Sequence, residues 1–365
     1  MKFLSADSPA FPITYGAIHA LVDAATVMVV YTAVARFGMS VGDGFRLVLG
    51  YDLLAFAGQA LIGLASDHLR APMAAARAGI VCAGCAVAML FWNPYAAMAL
   101  AGLGNALYHV GGGAMSLTVR PGRATDPGLF VGPGAIGLAT GIWMGKSGAI
   151  CVWPFLAALA ASLLVTLVSG APRISYSRQE RRLELSAPVV VAALLLVSIA
   201  VRAFVGTAGA QGLDKAPWVT VAVTAAVFGG KTLGGIASDR LGWIPVNVGA
   251  LVLSAPLIAF GGRDPLIFAA GIFLFQMTMP ATLVALAALL PGRPGFAFGL
   301  ACLGLIGGAL PAFFRVVKAH YSAPSFLALI LLSAACLFAA LFSLRGKLPM
   351  RYRTVDTPPP EPLIH

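Results

Sequence analysis

A small set of side chains in this sequence combines chemistry with an apolar setting. His19 and Asp23 have i, i+4 spacing, and so do Asn105 and His109, which places each pair on one face of a helix. Arg202, Lys231 and Gln276 interrupt otherwise apolar stretches. An imidazole titrates near pH ~6.5, so His19, His109 and Asp23 form a set able to take up and release a proton. Cationic Arg202 and Lys231 in a low-dielectric setting would attract a carboxylate or a phosphonate. The candidate substrate-binding residues are therefore His19, Asn105, His109, Arg202, Lys231 and Gln276. The candidate proton-coupling residues are Asp23, His19 and His109.

These residues need a scaffold, and composition sets its class. The chain has 365 residues, 59% of them hydrophobic and 10% charged, with a mean hydropathy of +0.91. Soluble chains carry about 25% charged residues, so much of this surface must face lipid. Apolar stretches long enough to span a bilayer occur at about 13–34, 46–66, 72–91, 94–118, 128–146, 149–169, 188–210, 216–237, 243–261, 264–290, 295–314 and 324–344. The fold class expected is an all-α integral membrane protein with twelve transmembrane helices in two six-helix bundles. Residues 1–169 would form the N-terminal bundle, 170–187 a cytoplasmic linker, 188–344 the C-terminal bundle and 345–365 a disordered tail. The first apolar stretch lacks a basic lead-in and a convincing cleavage site, so it is expected to stay as a helix.

The formal charge of +11 would suggest nucleic acid in a soluble protein. Its distribution argues instead for the positive-inside rule. Of 24 basic residues, 15 fall in one set of alternating loops and termini and seven in the other. Both termini would then be cytoplasmic, in a multi-pass protein of the cell membrane, a bacterial inner membrane. No pattern implies a metal, a nucleotide or a covalent cofactor. Cys82 and Cys85 form a CxxC within an apolar stretch, without a His or acidic neighbour, and read as small packing residues.

A short phrase occurs twice. Gly63-Leu-Ala-Ser-Asp67-His68 returns as Gly235-Ile-Ala-Ser-Asp239-Arg240, 172 residues later. A second repeat has nearly the same offset: Arg120-Pro-Gly-Arg123 and Leu290-Pro-Gly-Arg293, 170 apart. Two unrelated features at one offset indicate a duplicated six-helix unit. In each phrase the glycine lets a neighbouring helix approach, and the aspartate can face the positive N-terminus of a helix from either half.

Gly-x-x-x-Asp at a helix end resembles the signature loop between helices 2 and 3 of the major facilitator superfamily, repeated between helices 8 and 9. The resemblance implies the major facilitator fold, with a central cavity lined by helices 1, 4, 7 and 10. It assigns Gly63, Asp67, Gly235, Asp239 and Arg240 to gating. Three segments resemble the fosmidomycin-resistance-type branch: His19-Ala-Leu-Val-Asp23 in helix 1, Gly102-Leu-Gly-Asn-Ala-Leu-Tyr-His109 in helix 4, and Val201-Arg-Ala-Phe-Val-Gly206 in helix 7. That branch implies proton- or ion-linked transport of small solutes. Met98 stands where many drug/proton antiporters carry arginine, and Ile142 where their helix 5 carries proline.

The function expected is secondary transport of a small organic anion by alternating access, coupled to H+, by a monomer in the lipid bilayer. One alternative is efflux of drugs or lipophilic cations, which calls for a mostly apolar cavity with Arg202 and Lys231 either neutralised by carboxylates or pointing away. Another is a membrane receptor or scaffold that transports nothing. His19-x-x-x-Asp23 also matches an acyltransferase signature, but the duplication accounts for the whole chain without a catalytic fold, and no enzyme activity is expected.

Overall fold

The computed structural model describes residues 10–148, 152–170, 172, 174, 187–210, 213, 216–261, 264–314 and 322–347. Nearly all of the expected linker 170–187, and the tail beyond 347, lie outside them.

α1 (Ala10–Arg36) precedes a long passage made of α2 (Val41–Asp52), one π-helical turn (Leu53–Ala57) and α3 (Gly58–Leu69). α4 (Pro72–Met89) and α5 (Pro94–Thr118) follow. α6 (Thr125–Val131) and α7 (Gly134–Ser147) form one passage broken at Gly132 and Pro133, and α8 (Val152–Val168) ends the first half. The second half runs α9 (Pro188–Ala210), α10 (Pro217–Leu241) and α11 (Trp243–Phe260). It continues through α12 (Pro265–Gln276) with α13 (Met279–Leu289), then α14 (Pro294–Phe313) and α15 (Ala323–Ser343).

Ten helical passages among the described residues are long and apolar enough to cross a membrane. The other two are α8, which is apolar but 17 residues long, and α5, whose glycines and polar residues dilute its hydropathy. α1 is the most enclosed of the ten, with 72% of its apolar window buried, so its polar residues sit inside protein and not against lipid.

Local sequence explains where these helices begin. Proline occupies the first position of α4, α5, α10, α12 and α14, where its missing N–H costs no hydrogen bond. Asn93 caps α5 by accepting from the N–H groups of Tyr95 (3.1 Å) and Ala96 (3.0 Å). Asp264 does the same for α12, accepting from Leu266 (2.8 Å) and Ile267 (3.3 Å). These are the fourth passages of the two halves, so the duplication extends to the caps. The repeated Pro-Gly-Arg turns also fold alike. Arg123 N–H donates to Arg120 O (3.1 Å) and Arg293 N–H to Leu290 O (3.0 Å). Each turn needs a left-handed residue, supplied by Gly122 (φ 82°) and Gly292 (φ 73°).

Those turns aim two helix N-termini at the opposite half. α14 starts after Arg293 and α6 after Ala124, and neither residue caps its own helix through its side chain. The caps come from across the molecule. Asp67 accepts from Gly295 N–H (3.0 Å) and Phe296 N–H (2.8 Å). Asp239 accepts from Ala124 N–H (2.9 Å), Thr125 N–H (2.9 Å) and the Thr125 hydroxyl (2.6 Å). The repeated glycines allow the approach: a Cβ on Gly63 would overlap the Gly295 carbonyl, and one on Gly235 would overlap the Ala124 carbonyl. Beside the second contact, Asp126 is fully buried and ion-paired with Arg120 (Nε to Oδ2 2.9 Å), which holds the guanidinium pKa above its ordinary value. Arg240 is exposed and makes no ion pair among the described residues. At the far end the halves meet more loosely, through the exposed rings of Phe45 and Phe314, 5.9 Å apart.

A hydrogen bond to a charged group contributes about 1.5–3 kcal/mol. Converting Asp67 and Asp239 together to asparagine is therefore expected to shift the closed arrangement of this end by more than about tenfold. Spin labels at positions 69 and 241, exposed at the ends of α3 and α10, would report it as a longer, broader distance distribution. An unchanged distribution would show that the carboxylates do not hold this end.

Candidate functional site

α1 and α5 cross with their polar faces together, so the two i, i+4 pairs become one cluster. His19, Asp23 and His109 are 3%, 8% and 8% exposed, and Asn105 is also buried. His19 Nε2 lies 2.8 Å from His109 Nε2 and 3.2 Å from Asp23 Oδ2. His109 Nε2 lies 3.7 Å from Asp23 Oδ1, which accepts from Asn105 Nδ2 at 2.8 Å.

The other ring nitrogens determine the proton count. His19 Nδ1 faces the Phe130 carbonyl at 2.8 Å, and His109 Nδ1 faces the Asn105 carbonyl at 2.9 Å. A carbonyl only accepts, so both Nδ1 atoms donate. Two neutral rings would then set Nε2 lone pairs against each other at 2.8 Å, which is repulsive. One further proton between the two Nε2 atoms removes that repulsion, with the Asp23 carboxylate as its counter-charge. With that proton the three side chains are neutral in sum, which is how ionisable groups persist inside a membrane protein.

The surroundings fix this geometry. The Phe130 ring stacks on His19 with centroids 4.7 Å apart, and Phe130 meets Phe298 of α14 at 6.1 Å. Tyr108 donates to the Tyr15 carbonyl (2.7 Å), bracing α5 against α1. Thr26 gives its proton to Val22 O (2.8 Å), so Tyr51 donates to Thr26 across 3.1 Å, and Asn105 Nδ2 reaches the same hydroxyl at 3.3 Å. The π turn helps Tyr51 reach this network. Tyr51, Ala55, Gln59, Gly63 and Asp67 are all buried at four-residue spacing. Such a row drifts around a plain α-helix, and one wider π turn offsets part of the drift.

Lys231 enters from α10. It lies within electrostatic range of Asp23 and His109 but makes no hydrogen bond or ion pair among the described residues. Its repeat mate Gln59 turns back to the carbonyl of Ala55. Gln276 ends α12 and packs against Gly230, next to Lys231. Arg202 belongs to a different cluster, which divides the candidate set in two. Its Nε donates to Ser198 O (3.2 Å), one terminal nitrogen to Thr278 Oγ1, and the other to Thr282 Oγ1 (3.1 Å). At 6% exposure it is enclosed by α9 and α13 rather than reaching for an interface, and no acidic side chain among the described residues pairs with it. Thr278 sits at the break between α12 and α13.

Sequence reasoning missed Thr26, Tyr51, the Phe130 carbonyl, Thr278, Thr282 and the Arg120–Asp126 pair. Only the last had a usable signal, an Arg and an Asp flanking a Pro-Gly turn.

Comparison with solved structures identifies the fold. A single-site variant of the E. coli fucose:proton symporter FucP matches with a TM-score of 0.69 and 13% identity, covering 93% of this chain and 99% of that chain. FucP in the outward conformation, described as a Major Facilitator Superfamily transporter, matches with a TM-score of 0.66 and 13% identity over the same shares of both chains. At this identity the likeness establishes the major facilitator fold. No protein-family model and no curated protein matches the chain.

The first residue of α7 presses on the cluster. A Cβ on Gly134 would sit 2.6 Å from His19 Cε1 and 2.8 Å from Asp23 Oδ2. Gly134→Ala is expected to push the imidazole off its partners, read as a lowered Tm and shifted imidazole NMR resonances of His19 in the purified protein. An unchanged Tm and unchanged His19 resonances would mean that the cluster tolerates the added methyl group.

Proposed function

We propose that this protein is a secondary transporter that moves a small organic anion, of carboxylate or phosphonate type, across a cell membrane by alternating access coupled to H+. In this reading all twelve helical passages span a bacterial inner membrane, with both termini and the Asp67/Asp239 end cytoplasmic, and the protein works as a monomer. The observation that carries it is the 2.8 Å contact between His19 Nε2 and His109 Nε2 beside the Asp23 carboxylate, a place for one shared proton inside an enclosed helix pair. Losing that proton leaves a net negative cluster near Lys231, and regaining it frees the lysine charge for an anionic substrate. Proton state and substrate charge are thus linked through one electrostatic neighbourhood.

His19 and Asn105 are almost wholly engaged within the protein, so their part is to hold the proton and orient Asp23. Lys231 is the substrate-facing candidate, with Gln276 packed against its chain neighbour Gly230. Arg202, enclosed between α9 and α13 and held by threonine hydroxyls, does not discriminate between anionic and cationic substrates. Lys231, which pairs with no carboxylate among the described residues, is what supports an anion over the lipophilic cation of an efflux pump. FucP is a fucose symporter by name, so a neutral sugar is the competing substrate class.

Reconstituted vesicles with an imposed pH gradient test the reading. Carboxylates and phosphonates should accumulate, and neutral sugars should not. Asp23→Asn should abolish gradient-driven accumulation while substrate exchange continues at zero gradient. Retained accumulation in that variant would remove Asp23 from coupling, and uptake of sugars alone would overturn the anion. Lys231→Gln should raise KM for the anion by about tenfold or more, the weight of one charge-assisted contact.

A further inference from the structure

The His19–Asp23–His109 cluster has a second capability that proton coupling does not use. Both Nδ1–H groups are committed to backbone carbonyls, Phe130 O for His19 and Asn105 O for His109. This is the outer arrangement that orients metal-binding histidines, because it fixes the tautomer and aims the Nε2 lone pair. Asp23 is held in turn by Asn105. The two Nε2 atoms and the carboxylate converge from α1 and α5, with all three donor atoms within 4.8 Å of one another.

We propose that this cluster binds a divalent transition-metal ion of the zinc class through His19 Nε2, His109 Nε2 and the Asp23 carboxylate, with a fourth position left for water or an anion. Ligands held ~2.0–2.1 Å from a tetrahedral zinc ion lie roughly 3.3 Å from one another. The His-to-carboxylate separations, His19 to Oδ2 at 3.2 Å and His109 to Oδ1 at 3.7 Å, lie around that value, so a small carboxylate rotation brings one oxygen to both rings' metal. The Nε2 atoms, 2.8 Å apart around their shared proton, must part by roughly half an ångström. The exchange balances simply: the divalent ion enters, the shared proton leaves to solvent, and the cluster gains one positive charge. Lys231 nearby makes an anionic fourth ligand the favoured one. Two imidazoles and a carboxylate suit zinc, cobalt and nickel, whereas magnesium and calcium prefer oxygen alone. A metal seated there occupies the place of the coupling proton, so it would also arrest the transport proposed above. The binding claim itself does not depend on transport.

The test uses the full chain in detergent, with Co2+ as the optical probe and Zn2+ for X-ray absorption. One equivalent of Co2+ should give the intense visible bands of a four-coordinate ion. His109→Ala and Asp23→Asn should each weaken binding more than about tenfold, and His68→Ala, at an exposed histidine, should not. X-ray absorption of the zinc-loaded unmodified protein decides the matter even if those variants fail to fold. The expected result is a nitrogen/oxygen shell near ~2.0 Å with scattering from two imidazoles. No binding, a shell containing sulfur, or bands unchanged in folded His109→Ala would overturn the proposal. Metal binding without gradient-driven transport would count against the transport reading alone, and transport without metal binding against this proposal alone.

Discussion

The two halves are joined by carboxylates that complete each other's helices. The first N–H groups of any helix lack partners within it and must be satisfied from outside. α14 and α6 follow Arg293 and Ala124, whose side chains leave that need unmet. Asp67 and Asp239, each at the end of a helix from the opposite half, meet it and place negative charge on the positive helix terminus. The end of the molecule therefore closes by the same bonds that finish two of its helices. Gly63 and Gly235 bring the backbones close enough, and the left-handed Gly122 and Gly292 turn the chain into position. Opening this end would mean handing those N–H groups to water, at a finite cost of a few hydrogen bonds.

The same requirement for satisfaction governs the interior, where the two halves part company. The N-terminal half neutralises its buried charge internally, with one carboxylate, two imidazoles and one proton. The C-terminal half surrounds Arg202 with threonine hydroxyls and a backbone carbonyl, and leaves its charge without an acidic partner among the described residues. Lys231 bridges these solutions. It arises from the C-terminal half yet sits in the field of Asp23 and His109. The charge of the N-terminal cluster is thus felt at Lys231, across the boundary between the two halves.

Breaks in regular helix fall where polar contacts are made. The π turn at 53–57 lies between Tyr51, which reaches Thr26, and Gln59, whose backbone meets α14 at Gly299. The α12–α13 break carries Thr278, which serves Arg202. The α6–α7 break precedes Gly134, which contacts His19 and Asp23. Irregular backbone at membrane depth persists where protein encloses it, and each of these breaks adjoins a polar cluster.

Periodicity and repetition made much of this architecture readable in advance. Apolar length predicted the helical passages, α5 at the same bounds, because burial in lipid demands long uninterrupted apolar runs. The duplicated phrases predicted related halves and an aspartate facing a helix terminus, since that chemistry needs only Gly, Asp and a helix end. The i, i+4 pairs were legible because helix geometry fixes neighbours along one chain. What lies between helices was not legible. That His19 meets His109, that Phe130 and Asn105 offer carbonyls to their rings, and that Arg202 turns to threonines away from Lys231 all depend on helix crossing and rotation. A few tens of degrees of rotation would separate every one of these contacts while leaving the hydrophobic pattern unchanged. The sequence by itself determined which groups are available and on which helix face. The tertiary structure decided which of them share a proton.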